Sequence, residues 1–349
     1  MTRARIEQAL LALGGLGIAG SAVGWAVSPG AFGAAWLAAL LLWFAWPVGS
    51  LAWLMIHRIT GGRWGGLIRP WLAVGTAATP LLLLLVVPLL LLVHAVYGWA
   101  HPDVAHTLGN TRYLNPPFFW ARVGGAVVLW VLLALLALLV PARALAPPTL
   151  ILLMLSVSVV AVDTTLSLEP RFNSTAFGMV IAAEWALFAL SIATLATALD
   201  PLGGRVVLEQ LGKLLLGVLV LWGYLAFVQF LIVWNSDLAI DAPWYVHRAE
   251  HGWGIVAYIV FAFHFAIPLC VLVWPRFQRS RPALVAVSAL LVAAEVPRAW
   301  WLVLPSTGRG VGWIDGMAML AALGLGAALM LRLPALLARR ATARELRHA

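Results

Sequence analysis

PTLILLMLSVSVVAVDTTLSLEPRFNSTAFGMVIAAEWALFALSIATLATA, residues 148–198, sets a polar knot between two apolar runs. The runs, 148–163 and 174–198, approach or exceed the roughly 20 helical residues that cross a hydrocarbon core of about 30 Å. The knot itself, residues 163–178, holds Asp163, Glu169, Pro170, Arg171 and Asn173. A connection between two lipid-embedded helices needs only to be short and wettable. One with this many groups able to pair, cap or move protons points to a site or an interface.

The rest of the chain repeats the apolar theme. Of 349 residues, 63% are hydrophobic and 10% charged, and mean hydropathy is +0.99. A soluble domain carries about a quarter charged residues. Hydrophobic windows give ten spans: about 9–27, 32–56, 71–98, 118–140, 148–163, 174–198, 208–234, 253–274, 283–303 and 312–332. The sequence therefore reads as an all-α polytopic membrane protein, a single integral domain over residues 1–349. Its first apolar run, about 19 residues, exceeds the roughly 7–15 of a secretory signal, so a retained span is expected.

Charge sets the orientation. The net charge is +9, but the basic residues gather in alternate loops, which speaks for membrane topology rather than a nucleic-acid partner. Of the 22, six (Arg112, Arg122, Arg171, Arg248, Arg298 and Arg309) fall on one side and sixteen on the other. The positive-inside rule then places both termini in the cytoplasm and the knot outside. The outer loops 99–117 and 235–252 are rich in aromatics, His and Asp, and Trp99, Trp244 and Trp253 fit an interfacial belt.

Ionisable groups at membrane depth raise a functional hypothesis by default. Glu184 lies about 15 Å into its span and His264 at about the same depth in the eighth. Glu295 and Arg298, at i and i+3, share a helix face and are expected to pair. Asp163 and Asp315 sit at outer span ends, with Glu169 beyond them in the knot. Lys213 enters the seventh span with Tyr224 on nearly its face, and Ser191 lies two turns inward of Glu184. These ten residues make a candidate proton path, open mainly to the outside and ending at Glu184. The structural alternatives are a satisfied interhelical hydrogen bond at Glu184, an interhelical staple at Glu295–Arg298, wet aspartates, and snorkelling by Lys213 and Arg122.

Redox cofactors find little to hold them. Cys270 is the single cysteine, which leaves no disulfide, iron–sulfur cluster or covalent c-type haem within the chain. His94 and His264, the histidines within spans, differ in depth by about 10 Å, so bis-His haem ligation is not expected. No metal, nucleotide or hydrolytic motif stands out.

Six segments in order carry a resemblance: MIHRITGGRWGGLIRP (55–70), YLNPPFF (113–119), SLEPRFNSTAFG (167–178), LGKLLLGVLVLWGYLAFVQFLIVW (211–234), PWYVHR (243–248) and HFAIP (264–268). Together, over residues 40–305, they resemble the ActF-type integral subunit of alternative complex III, with Thr164 and Arg171 where that family has an aromatic and a His. The resemblance implies a ten-helix subunit of the NrfD-like, polysulfide-reductase-related class, with two four-helix bundles. It implies partners too: a homologous quinol-binding subunit and subunits bearing iron–sulfur clusters and haem c, in a bacterial cytoplasmic membrane. The chain would be the non-redox member, with a part in proton conduction and a quinone or quinol only at an interface. A stand-alone secondary transporter and an assembly scaffold for a terminal oxidase are the alternative readings.

Overall fold

The computed structural model describes the backbone of residues 3–140, 142–200, 205–236 and 242–348, and side chains of 4–140, 142–200, 208–236 and 242–333. Residues 237–241 of the outer loop and the side chains of Arg3, Arg205, Arg339, Arg340, Arg344 and Arg347 lie outside it. Ten helices among the described residues are long and apolar enough to cross a membrane, so the chain is a multi-pass membrane protein. They are α1 (Arg3–Val27), α2 (Pro29–Thr60), α3 (Trp64–Leu91), α4 (Pro116–Leu139) and α5 (Ala146–Thr164). There follow α6 (Phe177–Leu199), α7 (Arg205–Ser236), α8 (Trp253–Leu272), α9 (Arg281–Val303) and α10 (Trp313–His348). A short helix, Ala242–His247, lies between α7 and α8.

Local signals start several of these helices. Asn115 Oδ1 accepts the Phe118 N–H at 3.0 Å ahead of Pro116 and Pro117, which suit the first turn of α4. Ser280 caps α9 through the Ala283 N–H, again with a proline behind it. The third span departs from expectation. It begins at Trp64 rather than 71, and it breaks up around Pro80 and Pro88 into 3-10 and short helical pieces. Proline removes a ladder donor and clashes with the preceding turn. Indole N–H groups meet carbonyls in this stretch: Trp36 donates to Leu85 O at 2.8 Å and Trp120 to Leu90 O at 2.9 Å. The other irregular helix is α8, which passes through a π-helical turn at Phe261–Ala266 before Pro268.

Helices α2–α5 pack as one group and α6–α9 as a second, joined mainly through α6, which lies against α2 and α5, and through α9 against α2. The two irregular helices are the second of one group and the third of the other, so they do not occupy equivalent positions. α2 is buried on all sides from Phe32 to Met55, apart from Ala52 and Trp36, as expected of a helix apolar all round. Gly49 lets it approach the backbone of α6 at Trp185, and Trp53 donates to Ala186 O at 2.8 Å. α1 and α10 form an antiparallel pair at the side of α2, in contact where Gly14 and Gly17 meet Gly324, Leu325 and Ala321.

Candidate functional site in the membrane core

α6, α7, α8 and α9 each send one or two polar side chains into the middle of their group. Arg298 of α9 reaches across to α6, with Nε and Nη2 each donating to Glu184 Oε2 at 2.9 Å. Trp222 of α7 donates its indole N–H to the same oxygen at 3.0 Å. On the other side, His264 Nε2 of α8 lies 2.8 Å from Glu295 Oε2 of α9. Trp222 packs its ring edgewise on the His264 imidazole, centroids 4.4 Å apart, so one indole touches both pairs. Glu184, His264, Glu295 and Arg298 are each at most 6% exposed.

The expected Glu295–Arg298 pair is therefore replaced by two crossed pairs. At i and i+3 the residues share a face, but each bonds a partner on a neighbouring helix, Arg298 to Glu184 and Glu295 to His264. Glu184 and His264 do meet at one level, as their depths foretold, with Trp222 between them. Nothing in the sequence reading had singled out Trp222. Its signal was available: it falls on the seventh span at the same depth as Glu184.

The π-helical turn is centred near His264. A π-turn inserts a residue and locally re-aims side chains, and such turns concentrate at functional sites. It ends at Ala266, two residues before Pro268, whose missing N–H could not have closed an ordinary turn.

No family model matches the chain, and no curated protein matches it. The charge count of the cluster thus has to speak for itself. Arg298 is permanently cationic and is balanced by one carboxylate. The second carboxyl and the imidazole then form a neutral unit only when they hold one proton between them. Among the described residues no group of three metal-ligating side chains comes together.

A second cluster lies two turns outward. Arg248, from the end of the short helix, is fully buried and donates Nη1 to Glu169 Oε1 at 2.7 Å. Its Nη2 reaches Leu302 O and Ser306 Oγ, both at 2.8 Å, and its guanidinium lies 3.3 Å from the Trp244 ring centroid. Burial lowers the Arg248 pKa to about 10, with Glu169 opposing the shift. Ser306 also donates to Glu169, and the half-exposed His247 places Nδ1 3.3 Å from its other oxygen. Trp301 stands between the clusters, 5.2 Å from the Arg298 guanidinium and 5.7 Å from that of Arg248. Sequence reasoning had counted Arg248 only as a topology marker.

The remaining candidates go elsewhere. Asp163 is buried in a bidentate pair with Arg122 at 2.7 and 2.9 Å, so it is not wet and Arg122 does not snorkel. The Arg122 guanidinium lies over the Tyr113 and Phe118 rings, and burial raises the Tyr113 pKa to about 12. Asp315 is likewise buried, paired with Arg309 at 2.8 and 2.9 Å and accepting the Gly312 N–H at the start of α10. Both are ties between elements. Lys213 is largely exposed and bonds Glu209 one turn back, and Tyr224 turns outward at 61% exposure. Neither joins a path to Glu184. Ser191 is buried and donates to Leu187 O at 2.8 Å. The knot thus divides: Asp163 ties to α4, Glu169 to the short helix, and Arg171 is exposed. Trp99, Trp244 and Trp253 are buried under the outer loops rather than arrayed as a belt.

Beside the core cluster is a cleft of about 490 Å³, lined by Trp222, Tyr224, Phe227, Phe261, Phe265 and Trp301 and reaching Arg298. Tyr224, Phe227 and Phe261 are exposed, so the cleft opens on the lateral, membrane-facing side of α7 and α8.

Proposed function

We propose that this chain is a non-redox integral subunit of a quinol-oxidising respiratory complex in a bacterial cytoplasmic membrane, and that its core cluster holds and passes a proton. The observation that carries the proton role is the composition of the cluster: two carboxyls, one imidazole and one guanidinium, dry and in mutual contact at mid-span. Such groups are costly in a membrane and are retained where they move charge. One exchangeable proton keeps the unit neutral, and it can sit on Glu295 or on His264 without moving a heavy atom. The outward route runs past Trp301 to Glu169 and His247.

The complex itself rests on the six-segment resemblance. The arginine-rich face is assigned to the cytoplasm by the positive-inside rule. The lateral cleft places an apolar surface where a quinol or a neighbouring subunit's helix would come within reach of Arg298. Electrons are carried by the iron–sulfur and haem c subunits, while this chain supplies none of the carriers.

Purification from the native membrane in mild detergent tests the assembly. Co-purification of iron–sulfur and c-haem subunits is expected, and recovery of the chain alone overturns it. Glu295→Gln tests the proton role, because it keeps the shape and a hydrogen bond to His264 but cannot give up a proton. The assembled complex should then release fewer protons per electron, and a wild-type ratio and turnover would make Glu295 a structural hydrogen-bonding residue.

A further inference from the structure

α6 and α9 run antiparallel and are pinned at two levels. Arg298 bonds Glu184 at mid-span, and Arg281 Nη1 donates to Ala198 O at 2.9 Å near the arginine-rich face. Between these pins the register brings Ser191 of α6 level with Ser288 of α9. Each lies seven residues inward of a core carboxyl, Ser191 of Glu184 and Ser288 of Glu295. Seven residues are within about 20° of two full turns, so both hydroxyls lie under the carboxyls, about 10 Å inward. Thr194 follows one turn on. All three residues are fully buried, at 0% exposure.

Helical serines and threonines usually satisfy themselves by donating to the carbonyl four residues back. Thr76, Thr149, Ser156, Thr164, Ser191 and Thr197 do so here. Ser288 Oγ and Thr194 Oγ1 do not, and neither has any hydrogen-bond partner. His264 Nδ1 is a third buried atom without one, on the ring whose Nε2 bonds Glu295. Toward the arginine-rich face, Gln210 Oε1 and Gln278 Oε1 are unpartnered as well, on segments that touch where Gly212 meets Gln278. Buried water occupies places where several polar groups are otherwise unsatisfied.

We propose that Ser288, Thr194 and Ser191 hold a row of internal waters in the α6–α9 seam, and that this row passes protons between the arginine-rich face and the Glu295–His264 pair. It rests on the proton role proposed above and extends it: the path crosses both halves of the membrane. In each step one O–H bond breaks as its proton forms a new bond to the next oxygen. The final transfer is to the Glu295 carboxylate or to His264 Nδ1, and the row is refilled from bulk water.

Silver ion, which reaches a buried thiol only through water, tests the seam. In the full chain carrying Cys270→Ser, cysteine is placed singly at Ser288, Thr194 or Val287. Val287 is buried beside Ser288 on another face of α9. Vesicles are exposed to silver ion from the arginine-rich side, then denatured, and the remaining thiol is counted with a maleimide. Ser288→Cys and Thr194→Cys should react at least tenfold faster than Val287→Cys. Rates equal to that control would overturn the water row. Fast reaction together with a wild-type proton ratio in Glu295→Gln would uphold the water and overturn its proton role. Slow reaction with a lowered ratio would leave the core cluster active but open only to the opposite face.

Discussion

Arg298 and Glu184 stand 114 residues apart and meet through two N–H groups on a single carboxylate oxygen, each at 2.9 Å. The pair is dry, so removing one partner leaves an uncompensated charge among apolar helices. Arg298→Ala should cost about 3–5 kcal/mol. Replacing both partners by isosteric neutral groups should cost far less than the sum of the two single changes. Thermal unfolding in detergent of the singles and of Glu184→Gln/Arg298→Met checks this, and additive losses would mean the pair is not coupled.

Arg122 and Asp163 form a bidentate tie with the carboxylate fully buried, between α4 and the end of α5. A lysine at 122 keeps the charge but loses the planar fork and its stacking on Tyr113 and Phe118. Arg122→Lys should lower the melting temperature nearly as far as Arg122→Gln, a loss of about 1–3 kcal/mol. A lysine variant as stable as wild type would show that charge alone suffices.

Gly17 sits where α1 touches the backbone of α10. A side chain there would run into Ala321 and the Leu320 carbonyl carbon, which belong to the main chain and cannot rotate away. Gly17→Leu should separate the α1–α10 pair while Gly15→Leu, whose site is open, is tolerated. Crosslinking of cysteines placed at Gly24 and Ile314, which touch across the pair, should fall for the first and persist for the second.

Reporter fusions check the orientation. Those at Arg279 and after the last helix should read cytoplasmic, and those within 163–173 and 235–252 external. A cytoplasmic reading at Pro170 would invert every later span.

Purified alone, the chain should carry no stoichiometric haem. His94 and His264 sit on different helices, His94 exposed beside His101 and His264 engaged with Glu295. A Soret band at one haem per chain would overturn this.

The spans were legible because lipid acts on each stretch locally. A run of Leu, Val and Ala long enough to cross is apolar whatever its neighbours do. Glu184, His264, Glu295 and Arg298 were legible as a group for the same reason, since charge inside such a run is rare and its depth can be counted. Polar serines were not so legible. Ser288 looks like any helical serine, and its distinction is that its hydroxyl fails to bond its own helix. The spacing Arg281, Ser288, Glu295 was there to read as one face, but nothing in it says that the face meets α6.

By itself, the sequence determined the ten helices, their alternation of basic ends and the depth of each buried charge, because all three follow from residue order and helix rise. Only the tertiary structure decided the partnerships. Arg298 is three residues from Glu295, yet bonds Glu184. Asp163 closes α5 and Glu169 follows six residues later, yet they tie to opposite groups of helices. In a dry core a charged group takes the partner with the best geometry, and that depends on which helices pack and in what register.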